Sequence, residues 1–139
     1  MMEYSKKHIL LVLIVMFFLS FTSVAQQNVS HKAQTVIQIL ESSERYKKLT
    51  NGLAERIKKN GGQSHGIMFD SSPNPKADFS NSVSKTYDLN LHESYKDRMV
   101  VIARFVFDPA KQQLFEVDSD DELNPLKFDR KLLPIFNKK

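Results

Sequence analysis

From Arg98 to Phe107 every second residue is apolar: Met99, Val101, Ala103, Phe105 and Phe107 alternate with Arg98, Val100, Ile102, Arg104 and Val106. Successive Cβ atoms of a strand point to opposite faces, so a side-chain period of two forces this stretch to lie extended. One face is predicted to be wholly apolar, while the other mixes Val and Ile with Arg98 and Arg104. Asp108-Pro109-Ala110-Lys111 then supplies a turn, and Gln113 to Asp118 alternates again, which predicts a hairpin at the middle of a sheet. A sheet with a dry face needs a cover, and the remaining residues must provide it.

Two apolar stripes at helical spacing precede the strands. Ala33, Val36, Ile37 and Leu40 form one; Tyr46, Leu49, Leu53 and Ile57 form the other. At about 100° per residue the second stripe lies more than about 90° around the helix from the first, with Ser42 and Ser43 between them. Either the helix breaks near Ser42 or its two ends face different partners. The larger stripe predicts a main helix from about Ser43 to Lys59, preceded by a less firmly packed segment that Ser30 caps. Asn51-Gly52 weakens the main helix, since Gly costs about 1 kcal/mol against Ala in a helix interior. Asn60-Gly61-Gly62 ends it, and Lys58 and Lys59 suit the negative end of its dipole.

Downstream, Ile67 and Phe69 mark a short strand over His65 to Asp70. Ser71 to Ser82, with Pro73, Pro75 and several Ser, reads as a long loop of the kind that is often mobile or functional. Lys85 to Glu93 alternates, with Tyr87, Leu89 and Leu91 on one side and Asp88, Asn90 and His92 on the other. Leu126 and Phe128 mark a brief strand that Pro125 assigns to an edge, and Asp129 caps a terminal helical turn from Arg130 to Leu133. Short turns between strands imply antiparallel neighbours. The expected fold is α+β, with one main helix across a curved antiparallel sheet of four to five strands. Residues 26–42 form a partly helical N-terminal segment and residues 43–139 a single domain.

The start of the chain carries an address. Lys6, Lys7 and His8 form a basic region, Ile9 to Phe21 an almost unbroken apolar one, and Ser23-Val24-Ala25 presents small residues to a signal peptidase, which places cleavage between Ala25 and Gln26. The apolar run falls short of the roughly 20 residues a membrane-spanning helix needs. With no cysteine there is neither a lipid-modified residue after the signal nor a disulfide, so the expectation is a secreted or periplasmic protein without a stable membrane anchor, held together by its core alone. The formal net charge of +4 is a mild excess without the clustered basic footprint of a nucleic-acid binder, so no nucleic-acid partner is expected.

Candidate chemistry is sparse. His65 with Asp70, and His92 with Asp88 or Glu93, bring imidazole and carboxylate close in sequence, as general acid–base work requires. His92 and Glu93 point to opposite faces of a strand, however, and Asp88 lies roughly 13 Å from His92 by strand rise. Asp118, Asp120, Asp121 and Glu122 offer oxygens to a hard cation but lack the central Gly and later bidentate Glu of a helix-loop-helix calcium site, so they read as a solvated turn. Arg45, Lys48, Arg56 and Lys59 run along one flank of the main helix, either as a solvated face or as a stripe for acidic surfaces. Arg98 and Arg104, with His92 and Asp88, are the candidate binding residues of a concave sheet face; cross-strand pairing of the two arginines with Asp88, Glu116 or Asp118 is the alternative. No nucleophilic-serine or phosphate-loop motif occurs, and no catalytic residue, metal ligand or cofactor is assigned.

A helix followed by an antiparallel meander resembles the cystatin-like and PepSY-type modules in architecture. The Gln-x-Val-x-Gly motif of the cystatin inhibitory hairpin does not occur here, so the resemblance transfers no inhibitory residue. The runs Ala103-Arg104-Phe105-Val106-Phe107-Asp108-Pro109 and Lys127-Phe128-Asp129-Arg130-Lys131-Leu132-Leu133 are similar to stretches in a family of small secreted bacterial proteins of unassigned function, which implies kinship and no activity. The leading expectation is an exported, non-enzymatic binding module for a protein or cell-envelope partner, using the sheet face or the Ser71 to Ser82 loop. The alternatives are a small hydrolase or isomerase with a helix–sheet pocket around His65, Asp70 and Arg104, and a structural subunit of an envelope assembly that docks through the Ala33 to Leu40 stripe.

Overall fold

A computed structural model describes residues 29–139. The signal-peptide assignment and its cleavage site fall outside the described residues.

Ser30 opens helix α1 (His31–Ser42): its Oγ accepts the Ala33 N–H at 3.1 Å, as its cap position predicts. Ala33, Val36, Ile39 and Leu40 then form a continuous stripe that is fully buried. At Ser43 the backbone turns extended (φ −74, ψ 140), and the Ser43 side chain accepts from Tyr46 N, so one residue ends α1 and caps α2 (Glu44–Thr50). A second break follows at Gly52, whose left-handed conformation (φ 68) separates α2 from α3 (Leu53–Lys59). Gly61 (φ 83) ends α3, and Gly62 N–H bonds Ile57 C=O at 2.8 Å.

The strands are β1 (Ser64–Ser72), β2 (Ser82–Val83), β3 (Tyr87–Ser94), β4 (Met99–Asp108), β5 (Gln113–Val117) and β6 (Leu123–Leu126). They form one open sheet in the order β2-β1-β3-β4-β5-β6. β1 and β2 are parallel and every other pair is antiparallel. The inner face of the sheet presents Phe69, Tyr87, Leu89, Leu91, Phe105, Phe107 and Leu114 to α1. Leu133 and Phe136 of the terminal helix α5 (Leu133–Phe136) close the end of this core, where the Phe136 ring meets Tyr87 and Phe107 edge-on at 5.9 and 5.2 Å.

Three expectations need correction. The sheet is open, six-stranded and mixed, not a curved antiparallel sheet of four or five strands. It is also not covered by one main helix over Ser43 to Lys59: that span is two short helices, of which α2 buries no residue and α3 buries Leu53 and Ile57, while α1 supplies the cover. The break follows from Ser43, whose side chain competes for the backbone donors of the next turn, and from the positive φ at Gly52. Third, Ser71 to Ser82 is not a plain loop. Asn74 caps a helical turn, α4 (Pro75–Asp78), and β2 pairs with β1. Asp78, 1% exposed, accepts a hydrogen bond from Ser30 Oγ, and Ser30 N–H bonds Ala77 C=O at 3.1 Å, tying the start of α1 to this segment.

Candidate functional site

The face of the sheet turned away from α1 carries the candidate residues. Cross-strand partners share a face, and the register places Gly66 and Met68 of β1, Asp88, Asn90 and His92 of β3, Arg104 and Val106 of β4, and Phe115 and Val117 of β5 together. A bulge extends this face. Leu91 pairs with Ala103 but His92 pairs with Val101, so Ile102 is an extra residue and the alternation of β4 reverses there. Phe105 and Phe107 go to the core, whereas Met99 and Val101 emerge on the open face at 51% and 49% exposure. The prediction that Met99 to Phe107 share one apolar face is corrected accordingly. Leu123, across from Val117, adds a third exposed apolar side chain at the far edge.

Polar groups meet at the centre of this face in a concavity of about 190 Å³ whose lining includes Asp70, Asp88, Asn90, Arg104, Val106 and Val117. Asp70 follows the inward Phe69 and so faces this side by ordinary alternation, and the bulge after Phe69 brings Ser71 to the same face opposite Asp88. Asn90, 6% exposed, donates from Nδ2 to Asp70 Oδ2 at 2.5 Å. Asp88 accepts from Thr86 Oγ1 at 2.8 Å and from Ser71 Oγ. Both carboxylates are thus held by neutral donors and present fixed acceptor oxygens.

Arg104 leans toward the β5–β6 turn, donating to Asp121 Oδ1 at 2.6 Å and to Asp118 C=O at 3.2 Å. That turn is built on Asp118, which accepts the N–H groups of Asp120 and Glu122 on Oδ1 and the Asn124 amide on Oδ2. These donors, the Glu122 N–H foremost, hold the Asp118 carboxyl below its usual range. The acidic run therefore acts as a hydrogen-bonded turn that buttresses Arg104.

Three of the four candidate binding residues, Asp88, His92 and Arg104, share the open face. Arg98 does not join them. It sits in the β3–β4 turn, with its guanidinium 4.6 Å from the centre of the Tyr95 ring and its Nη1 3.2 Å from Asp97 Oδ1. The His92 ring lies over Gly66, close enough that a Cβ there would come within 3.3 Å of Cε1, and its Nδ1 is buried without a partner among the described residues. His65 pairs in register with Glu93 on the inner face, so the grouping of His65 with Asp70 and Arg104 is not assembled. Arg45 is taken up by a forked ion pair to Glu116, at 2.8 and 3.1 Å, and the break at Gly52 interrupts the basic flank of the predicted main helix. The Ala33 to Leu40 stripe is buried in the core, which leaves no exposed docking face there.

Asn90 is the central residue that sequence reasoning passed over. The available signal was its setting between Leu89 and Leu91 in a predicted central strand, where Asn is disfavoured unless a buried partner satisfies it. Among the described residues no helix is long and apolar enough to cross a membrane, and no group of three metal-ligating side chains is present. Comparison with family models, curated proteins and solved structures found no match to this chain.

Proposed function

We propose that the chain is an exported binding module that holds a protein partner of the cell envelope on the open face of its sheet. The observation that carries this reading is the composition of that face. Met99, Val101 and Leu123 stand exposed around a centre of fixed acceptors and one arginine, an arrangement of apolar contacts and polar registration that suits a macromolecular surface. The concavity at its centre holds about 190 Å³, below the roughly 300–1,000 Å³ of pockets that enclose small molecules. Export rests on the basic and apolar N-terminal pattern and the small residues at Ser23 and Ala25.

Photo-crosslinking tests the reading. A photoreactive residue at Val101 is expected to give a discrete adduct in cells, and one at Lys58, exposed on α3, none. Introducing Leu123→Lys beside the probe at residue 101 is expected to abolish the adduct while circular dichroism stays unchanged. Equal labelling from residues 58 and 101, or no adduct from either, would overturn it.

A further inference from the structure

We infer that β1 is a dimerisation edge, along which a second copy of this chain adds in antiparallel register. β3 flanks β1 along its length, but β2 flanks it only at Ser71 and Ser72. The direction of the remaining peptide groups follows from the ladder. Tyr95 N–H donates to Arg98 C=O at 2.8 Å across the β3–β4 turn, so the odd-numbered residues of β3 turn their N–H and C=O groups to β4 and the even-numbered ones to β1. Ser94, His92 and Asn90 therefore engage their partners Ser64, Gly66 and Met68. The intervening His65, Ile67 and Phe69 point their N–H and C=O groups away from the sheet, and among the described residues nothing hydrogen-bonds to them.

Natural sheets blunt such edges with Pro, Lys or brevity. The opposite edge follows this rule: β6 is short, contains Pro125 and is followed by Lys127. From Gln63 to Phe69 there is neither a Pro nor a Lys nor an acidic residue. That stretch carries all the features of an edge kept open for pairing.

The occupant must be an extended strand that stops where β2 begins, because Asn81 N–H already bonds Asp70 C=O at 3.0 Å. A second β1, related by a two-fold axis through Gly66, meets this requirement by symmetry. His65 then pairs with Ile67 of the second copy, and Ser64 with its Met68. The second chain leaves the line of the strand at its own Gly62, whose N–H turns back to Ile57 C=O at 2.8 Å, opposite Asp70 where the β2 segment begins. Gly66 meets Gly66 in the close, non-hydrogen-bonded position, and no like charges oppose each other. The axis stands normal to the sheet, so both open faces point the same way on one continuous sheet, whatever they bind.

The test is sedimentation equilibrium of the protein as isolated, with two variants at one position. His65→Pro removes an outward N–H and no bond to β3, a change an edge strand tolerates; His65→Ala removes the same side chain and keeps the N–H. Wild type and His65→Ala are expected at twice the chain mass and His65→Pro at the chain mass, with unchanged circular dichroism. A monomeric wild type, or a folded His65→Pro variant that still dimerises, overturns the inference. Should His65→Pro fail to fold, amide exchange of the wild type decides. The N–H groups of His65 and Ile67 are expected to slow by about ten-fold or more on concentration, as pairing buries them. Rapid exchange at every concentration overturns the inference, and so does protection independent of concentration, which would place a segment of the same chain on the edge.

Discussion

Tyr87 joins the core to the start of α1. Its ring packs against Phe69, Phe107 and Phe136, and its hydroxyl lies in the field of the buried Asp78 carboxylate. Burial first, and that carboxylate second, push its pKa up to about 12 from an ordinary value of 10.0. The unfolded chain therefore loses this proton before the folded one. The stabilisation is complete below pH 10 and is lost as the pH rises from 10 toward about 12. Urea midpoints across that range are expected to fall more steeply in the wild type than in Tyr87→Phe; parallel slopes would show that Tyr87 does not carry the effect. Other single residues announced themselves in the sequence. Ser30, Asp129 and the Asn60-Gly61 pair cap or stop helical turns where their side-chain acceptors and backbone freedom predict, because capping is settled within a few residues.

At the scale of elements, Gly52 separates what the sequence shows from what it hides. In a continuous helix Gly52→Ala would add stability; at φ 68, with open space around the missing Cβ, the same change strains the backbone. Gly52→Ala is expected to lower stability by about 1 kcal/mol, and thermal melting of the variant reads the sign directly. The strands were legible because burial on one side writes a period of two into Tyr87 to Leu91 and Phe105 to Phe107. The choice of covering helix was not. Both stripes have helical spacing, and only packing tells that Ile39 and Leu40 join Leu89 and Phe105 in the buried core while Tyr46 and Leu49 pack against it only partly buried. β2 was hidden for a related reason: two paired residues are too few to carry a period.

For the whole molecule, the layers are asymmetric. Helices lie against one face of the sheet, and the other face holds Asp70, Asp88, Asn90 and Arg104 among apolar neighbours. The sequence indicated that Asp88, His92 and Arg104 face away from the core, since they alternate with Leu89, Leu91 and Phe105. It misplaced Arg98, Met99 and Val101 because a bulge leaves no mark in hydrophobic periodicity: apolar residues stand on both sides of Ile102, so a skipped beat goes unseen.

That skipped beat makes β4 a strand with two independent halves. The part from Ala103 to Phe107 is locked to the core, while the part from Met99 to Val101 takes its phase from its pairs with His92, Glu93 and Ser94. Deleting Ile102 removes the extra residue and leaves an unbroken alternation in which Val101 still pairs with His92 and Met99 with Ser94, so both side chains stay on the open face. Oxidation of Met99 by peroxide is expected to be equally fast in the wild type and in the deletion variant; a several-fold slower rate in the variant would mean that pairing with β3 does not set the phase of this half. The strand can therefore gain or lose one residue at this point and still show the same surface, the slack being taken up where the chain crosses from the open face to the core.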